Sequence, residues 1–207
     1  MSREDWYRNR EWNEQIASAF RSKLSRARRK EQYLRIQASC LAKTYPIAAL
    51  ELLDEYFALP DKFDHAAGHV TRAEALLALG RESEAIEAYE AALCREVDFP
   101  KLKTQAFLEL PYLVALRKIA SHYERALEIL NQRKGDLIFP ADHFMWHTSR
   151  ALILSAMGDL NAARIDARAA FEAAAKDRSG FRFHPTIGLV SERHAEALGR
   201  LRQFHDA

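Results

Sequence analysis

The sequence predicts an all-α protein built from repeated helix pairs, and three observations carry that prediction. Ala, Leu, Glu and Arg dominate the 207 residues, and these are strong helix formers. Only 7 Gly and 6 Pro are present, too few for a sandwich or barrel that turns about every ten residues. The chain also aligns with itself without a gap when shifted by 78 residues. Asp64-His65-x-x-x-His69-x-x-Arg72-Ala73-x-x-Leu76-x-Ala78-x-Gly80 falls on Asp142-His143-x-x-x-His147-x-x-Arg150-Ala151-x-x-Leu154-x-Ala156-x-Gly158. The match runs on through Ala85/Ala163 and Ala91-Ala92/Ala169-Ala170.

Taken in order, residues 1–29 read as an amphipathic, basic capping helix on which Trp12, Ile16, Phe20 and Leu24 recur every four residues. Residues 30–176 hold the pairs. Gln32–Lys43 is followed by Pro46–Ala58, with proline tolerated near a helix start. The next pair flanks Gly80, a residue that takes the left-handed conformation of a helix end without a Cβ penalty. The third pairs Leu102–Ile119 with a helix opened by the capping box Ser121-His122-Tyr123-Glu124 and running to about Arg133. The fourth flanks Gly158. Asp64 and Asp142 are placed as N-caps. Ala73 and Ala151 let partner helices approach closely, and Ala49, Ala85, Ala126 and Ala163 open the second helices at spacings of 36, 41 and 37 residues. Residues 177–207 read as a loop and a capping helix from His184-Pro185 to about Phe204. An array of stacked pairs needs such ends to cover its last open faces.

These residues resemble the tetratricopeptide repeat, over roughly residues 30–176. Residues 66–100 carry its pattern best, with Ala73, Gly80, Ala85, Tyr89, Ala92 and a late Pro100. Residues 144–175 have Ala167 where the aromatic belongs, and the other two units have Thr44 and Ser121 where the turn glycine belongs. The chain as a whole also resembles bacterial repeat proteins, a likeness that brings no activity with it. The resemblance implies a right-handed α-solenoid of about four helix pairs with non-repeat terminal helices. It also implies a concave groove for a protein or peptide segment. Carried onto this chain, the groove positions include Leu34, Ala38 and Leu41, then Val70, Glu74 and Leu77, then Ala115 and Lys118, and finally Thr148, Leu152 and Ser155. The Lys/Asn/Arg set of the family's carboxylate-clamp members is absent there, so the groove reads as mostly apolar and suited to an apolar or amphipathic helix.

Candidate chemistry is sparse. Histidines four apart share a helix face and the arginine three further on lies beside them, so His69, Arg72, His147 and Arg150 are candidates for a small anion. Two imidazoles alone make a poor metal site, and Ala66 and Phe144 stand where a zinc peptidase pattern needs glutamate. Hydrogen bonding to carbonyls or pairing with nearby acids at the helix interface is the structural expectation for all four. No phosphate-binding glycine loop or nucleophile elbow is present, so neither cofactor nor catalysis is expected. Cys40 and Cys94, in helical patterns without metal spacing, read as buried thiols of a reducing cytoplasm. With 31 Lys+Arg against 29 Asp+Glu the net charge predicts no polyanionic partner, although six cations cluster in Arg21–Lys30. A charged N-terminus without an apolar stretch predicts no signal peptide, and no segment is apolar enough to span a membrane. The function this predicts is a cytoplasmic, non-catalytic protein-binding adaptor. A regulatory module sensing a small anion through the His/Arg pairs is the second expectation, and a nucleic-acid accessory protein a distant third. The terminal helices also offer faces through which two copies could pair.

Overall fold

The computed structural model describes residues 5–60 and 64–204, and among them every regular element is helical. The chain divides into two compact units, Met1–Ala106 and Phe107–Ala207, inside the stretch that reads as repeats.

The first unit holds α1 (Glu14–Ser25), α2 (Lys30–Leu41), α3 (Pro46–Ala58), α4 (His65–Ala78) and α5 (Glu82–Asp98). Asn13 starts α1, its side-chain oxygen accepting the Ile16 N–H at 2.9 Å. One face of α1 buries Phe20 and Leu24 against Leu34, Ala38 and Leu41 of α2 and Leu52, Leu53 and Tyr56 of α3. Trp6, Tyr7 and Trp12 pack on the same cluster, with the Trp6 and Tyr33 rings 4.8 Å apart. The segment before α1 is pinned by polar bonds as well. Gln37, fully buried, accepts the backbone and side-chain N–H groups of Asn9 at 3.0 and 2.8 Å and donates to the Asn9 carbonyl at 2.7 Å. Helix α4 packs on both α3 and α5, with Ala73, Ala85 and Ala92 buried.

The second unit holds α6 (Ala106–Arg117), which begins at the boundary, then α7 (Tyr123–Gln132), α8 (Pro140–Ala156), α9 (Leu160–Ala174) and α10 (Ala195–Leu201). Helices α8 and α9 pair along their lengths through Ala151, Ala163, Ala167 and Ala170, all buried. Helix α10 lays Ala197 and Leu201 on that cluster together with Phe144, and Tyr112 and Leu116 of α6 pack against it. Trp146 crosses from α8 to donate its indole N–H to the Leu130 carbonyl at 2.8 Å.

The turns show one device three times. After α4, Gly80 has φ +73° and the Arg81 N–H donates to the Leu76 carbonyl at 2.9 Å. After α8, Gly158 has φ +93° and the Asp159 N–H donates to Leu154 at 2.9 Å. After α6 the same six-to-one bond runs from Ile119 to Val114 at 3.0 Å, but the left-handed residue is Lys118, at φ +56°. Lys118, rather than Ser121, therefore holds the glycine's place in the third pair.

Several boundaries differ from expectation. Helix α6 starts at Ala106 rather than Leu102, and Ser121 lies in a 3-10 turn, Ala120–His122, where its hydroxyl meets the His122 ring instead of capping α7. Asp64 precedes α4 but forms an ion pair with Arg35 at 2.6 Å in place of a cap. Helix α8 starts at Pro140, so Asp142 sits in its first turn and accepts the Ile138 and Phe139 N–H groups at 3.0 Å each. The C-terminal helix is only Ala195–Leu201, after the 3-10 turn Glu192–His194. Residues 177–190 fold back instead, and Gly188, at φ +67°, accepts the Ala141 N–H at 2.8 Å. A Cβ there would stand 2.3 Å from the Phe139 ring. Arg21–Lys30 is no single helix face, since α1 ends at Ser25 and α2 begins at Lys30. Cys94 is exposed and only Cys40 is partly covered.

Candidate ligand cleft

The C-terminal ends of α6 and α8 meet the last turns of the chain at a cleft of about 460 Å³ in the second unit. Ala115 and Lys118 line it from α6 and its turn, Tyr123 from the start of α7, and Leu152, Ser155 and Ala156 from α8. Arg200 and Gln203 close it from α10 and the 3-10 turn Arg202–Phe204. Residues 115, 152 and 155, from α6 and α8, line the same cavity. Four of the positions that the repeat register assigns to a concave face, Ala115, Lys118, Leu152 and Ser155, thus share one cavity.

Both charged residues that line the cleft are cations, and one of them is paired with Glu196. Lys118 is exposed and has no acidic partner among the described residues. Arg200 is half-buried and donates to the Leu116 carbonyl and, at 2.9 Å, to Glu196. The Leu116 carbonyl lies two residues before Lys118, so both cations stand at one helix end. No carboxylate lines the cavity. One turn before Ala115 on α6, burial pushes the Tyr112 phenol up to about 12, with the Glu196 carboxylate adding to the effect.

The remaining predicted groove positions lie elsewhere. Leu34, Ala38 and Leu41 are buried in the first unit's core, covered by α1 and the aromatic segment before it. They are core residues rather than an open binding face. Thr148 is also fully buried, one turn above Leu152 on α8. Val70, Glu74 and Leu77 are half-buried on α4, and Glu74 faces the Lys43 ammonium at 3.8 Å.

The His/Arg pairs are engaged between helices. His69 stacks on Phe57 of α3, centroids 4.5 Å apart, and Arg72 lies over the same ring at 4.9 Å while bridging to Asp54. Burial pushes the His69 imidazole down to about 4, reinforced by the positive charges of Arg72, His65 and Arg95. In the second unit Asp166 of α9, itself buried, takes the His147 ring at 2.7 Å and the Arg150 guanidinium at 3.0 Å. Arg150 also donates to Asn131 at 2.8 Å and covers the Trp146 ring at 4.7 Å. Each arginine is matched by a protein carboxylate, which leaves less of its charge for an external anion. Among the described residues no group of three His, Cys, Asp or Glu side chains is placed to hold a metal ion, and no helix is long and apolar enough to cross a membrane.

Sequence reasoning reached Lys118 only through the repeat register, and it missed Tyr123, Ala156, Arg200 and Gln203. Arg200 and Gln203 carry no motif. Their place follows from a short final helix turning back onto α6 and α8, which no local pattern announces. Compared with known proteins, the chain significantly matches no family model, no curated protein and no solved structure.

Proposed function

We propose that this chain is a non-catalytic binding module that holds a small ligand in the cleft of its second unit. The observation that carries this reading is the cleft itself, about 460 Å³, with an apolar wall and a few polar groups converging on it. That volume is within the range of small-molecule sites. In this reading the helix pairs α2/α3, α4/α5, α6/α7 and α8/α9 are tetratricopeptide-like units of a right-handed α-solenoid. The recurrent turn geometry and the small residues at the helix contacts support it. The adaptor alternative, a long apolar groove for a protein segment, draws less support. Leu34, Ala38 and Leu41 are covered, and α10 occupies part of the corresponding face in the second unit. A regulatory role through ligand binding follows more readily than assembly of partner proteins, with the cleft rather than the His/Arg pairs as its seat.

The test is a thermal-shift survey of small organic acids, phosphates, amines and neutral compounds against wild type and Ala156→Trp, which fills the cleft from an exposed position. Saturable stabilisation of the wild type by some compounds, lost in a variant with an unchanged circular dichroism spectrum, is the expected result. A survey in which nothing stabilises the wild type, or in which the variant responds equally, would sink the reading.

A further inference from the structure

Lys118 is the only non-glycine residue with a left-handed backbone among the described residues, and it lines the cleft. That conformation brings Cβ close to the carbonyl oxygen, which is why Gly80 and Gly158 fill the two matching turns. Backbone strain retained at one of three equivalent turns points from the outlier to a function for its side chain. Glycine there would satisfy the fold, so the fold gives no reason for lysine.

A second observation gives the side chain its task. Arg200 reaches the same helix end and bonds to the Leu116 carbonyl, yet uses only two of its partners, that carbonyl and Glu196. A guanidinium has five N–H donors, so these two bonds leave others unused. Glu196 already meets the charge of Arg200, whereas Lys118 has no acidic partner among the described residues, so an anion accepting from both side chains would meet the charge of Lys118. The C-terminal ends of α6 and α8 carry partial negative charge, about half a unit each in an unscreened helix, which works against an anion. Here the six-to-one bonds to Val114 and Leu154, and Arg200 on Leu116, already occupy carbonyls at those ends. The unpaired Lys118 ammonium and the unused N–H donors of Arg200 are set against what remains. Ala115, Leu152 and Ala156 add an apolar wall that a bare inorganic ion would leave unused.

We propose that this cleft recognises a small organic anion, with its apolar body against Ala115, Leu152 and Ala156 and a single carboxylate or phosphate between Lys118 and Arg200. The proposal rests on the cleft being the ligand seat and adds the chemistry of the ligand. Binding of benzoate, phenyl phosphate, benzyl alcohol and inorganic phosphate to the full chain tests it, by calorimetry at low and at high salt. Benzoate or phenyl phosphate should bind at least tenfold more tightly than benzyl alcohol and than inorganic phosphate, and should weaken as salt rises. Lys118→Gly should raise the melting temperature of the unliganded protein while weakening the organic anion at least tenfold, and Lys118→Arg should restore most of that affinity. Unchanged anion affinity in Lys118→Gly overturns the proposal, as does benzyl alcohol binding as tightly as benzoate. In both cases the cleft survives as a ligand seat. If none of the four probes binds, the proposal fails, and stabilisation by an amine or another neutral compound in the thermal-shift survey would show that the cleft still holds a small ligand.

Discussion

His69 shows how one residue's surroundings set its chemistry. Buried against Phe57 and flanked by Arg72, His65 and Arg95, its imidazole is held neutral down to about pH 4, chiefly by that burial. An unfolded histidine titrates near 6.5, so between these values the unfolded chain binds a proton that the folded chain refuses. The neutral ring's contribution to stability is therefore complete above about pH 6.5 and drains away as the pH falls toward 4. His143 and His194 are lowered too, again chiefly by burial, and act in the same direction. Replacing His69 by Phe keeps a ring against Phe57 and removes one titration. The melting temperature of this variant is expected to fall less than that of the wild type between pH 7 and pH 4.5. Parallel pH profiles for the two proteins would show that the folded ring titrates normally.

At the scale of elements, the contacts between paired helices are made by alanines. Ala85 and Ala163 are fully buried at the start of α5 and α9. Adding three carbons at either place forces the helices apart, and Ala85→Leu or Ala163→Leu should each cost ~1–3 kcal/mol of stability in urea unfolding. These positions were legible in the sequence because a small residue five places after a turn glycine repeats at the 78-residue shift. Helix starts were less legible. Asp142 has the composition of an N-cap, yet Pro140 fixes the first turn earlier and the carboxylate caps from inside the helix. The turn of the third pair was hidden because its marker is Lys118, whose left-handed backbone nothing in the residue type betrays. In the cleft, the α6 and α8 walls followed from the helical period. The Arg200 wall depends on a tertiary return of the chain, so it could not be read locally.

At the scale of the whole molecule, each unit holds a buried apolar cluster. The first is sealed by α1 and by aromatic residues of the segment before it, the second by α10. Local unfolding follows the units whose contacts are broken. With Ala163→Leu, backbone amides of α8 and α9 should lose hydrogen-exchange protection while those of α2 to α4 keep nearly all of theirs. Uniform loss across the chain would mean that the two units unfold as one cooperative body.

The placement of the three tryptophans gives this protein a built-in optical readout. Trp6 and Trp12 belong to the aromatic cluster of the first unit, within 5.7 Å of Phe20 ring to ring. Trp146 is buried in the second unit, its indole N–H held by Leu130 and its face covered by the cations of Lys134 and Arg150. A change of Trp12 to Phe together with Trp6 to Phe would leave the emission of a single indole, buried in the half of the chain that contains the cleft. The colour and intensity of that emission would then follow ordering around α8 directly, without any attached dye.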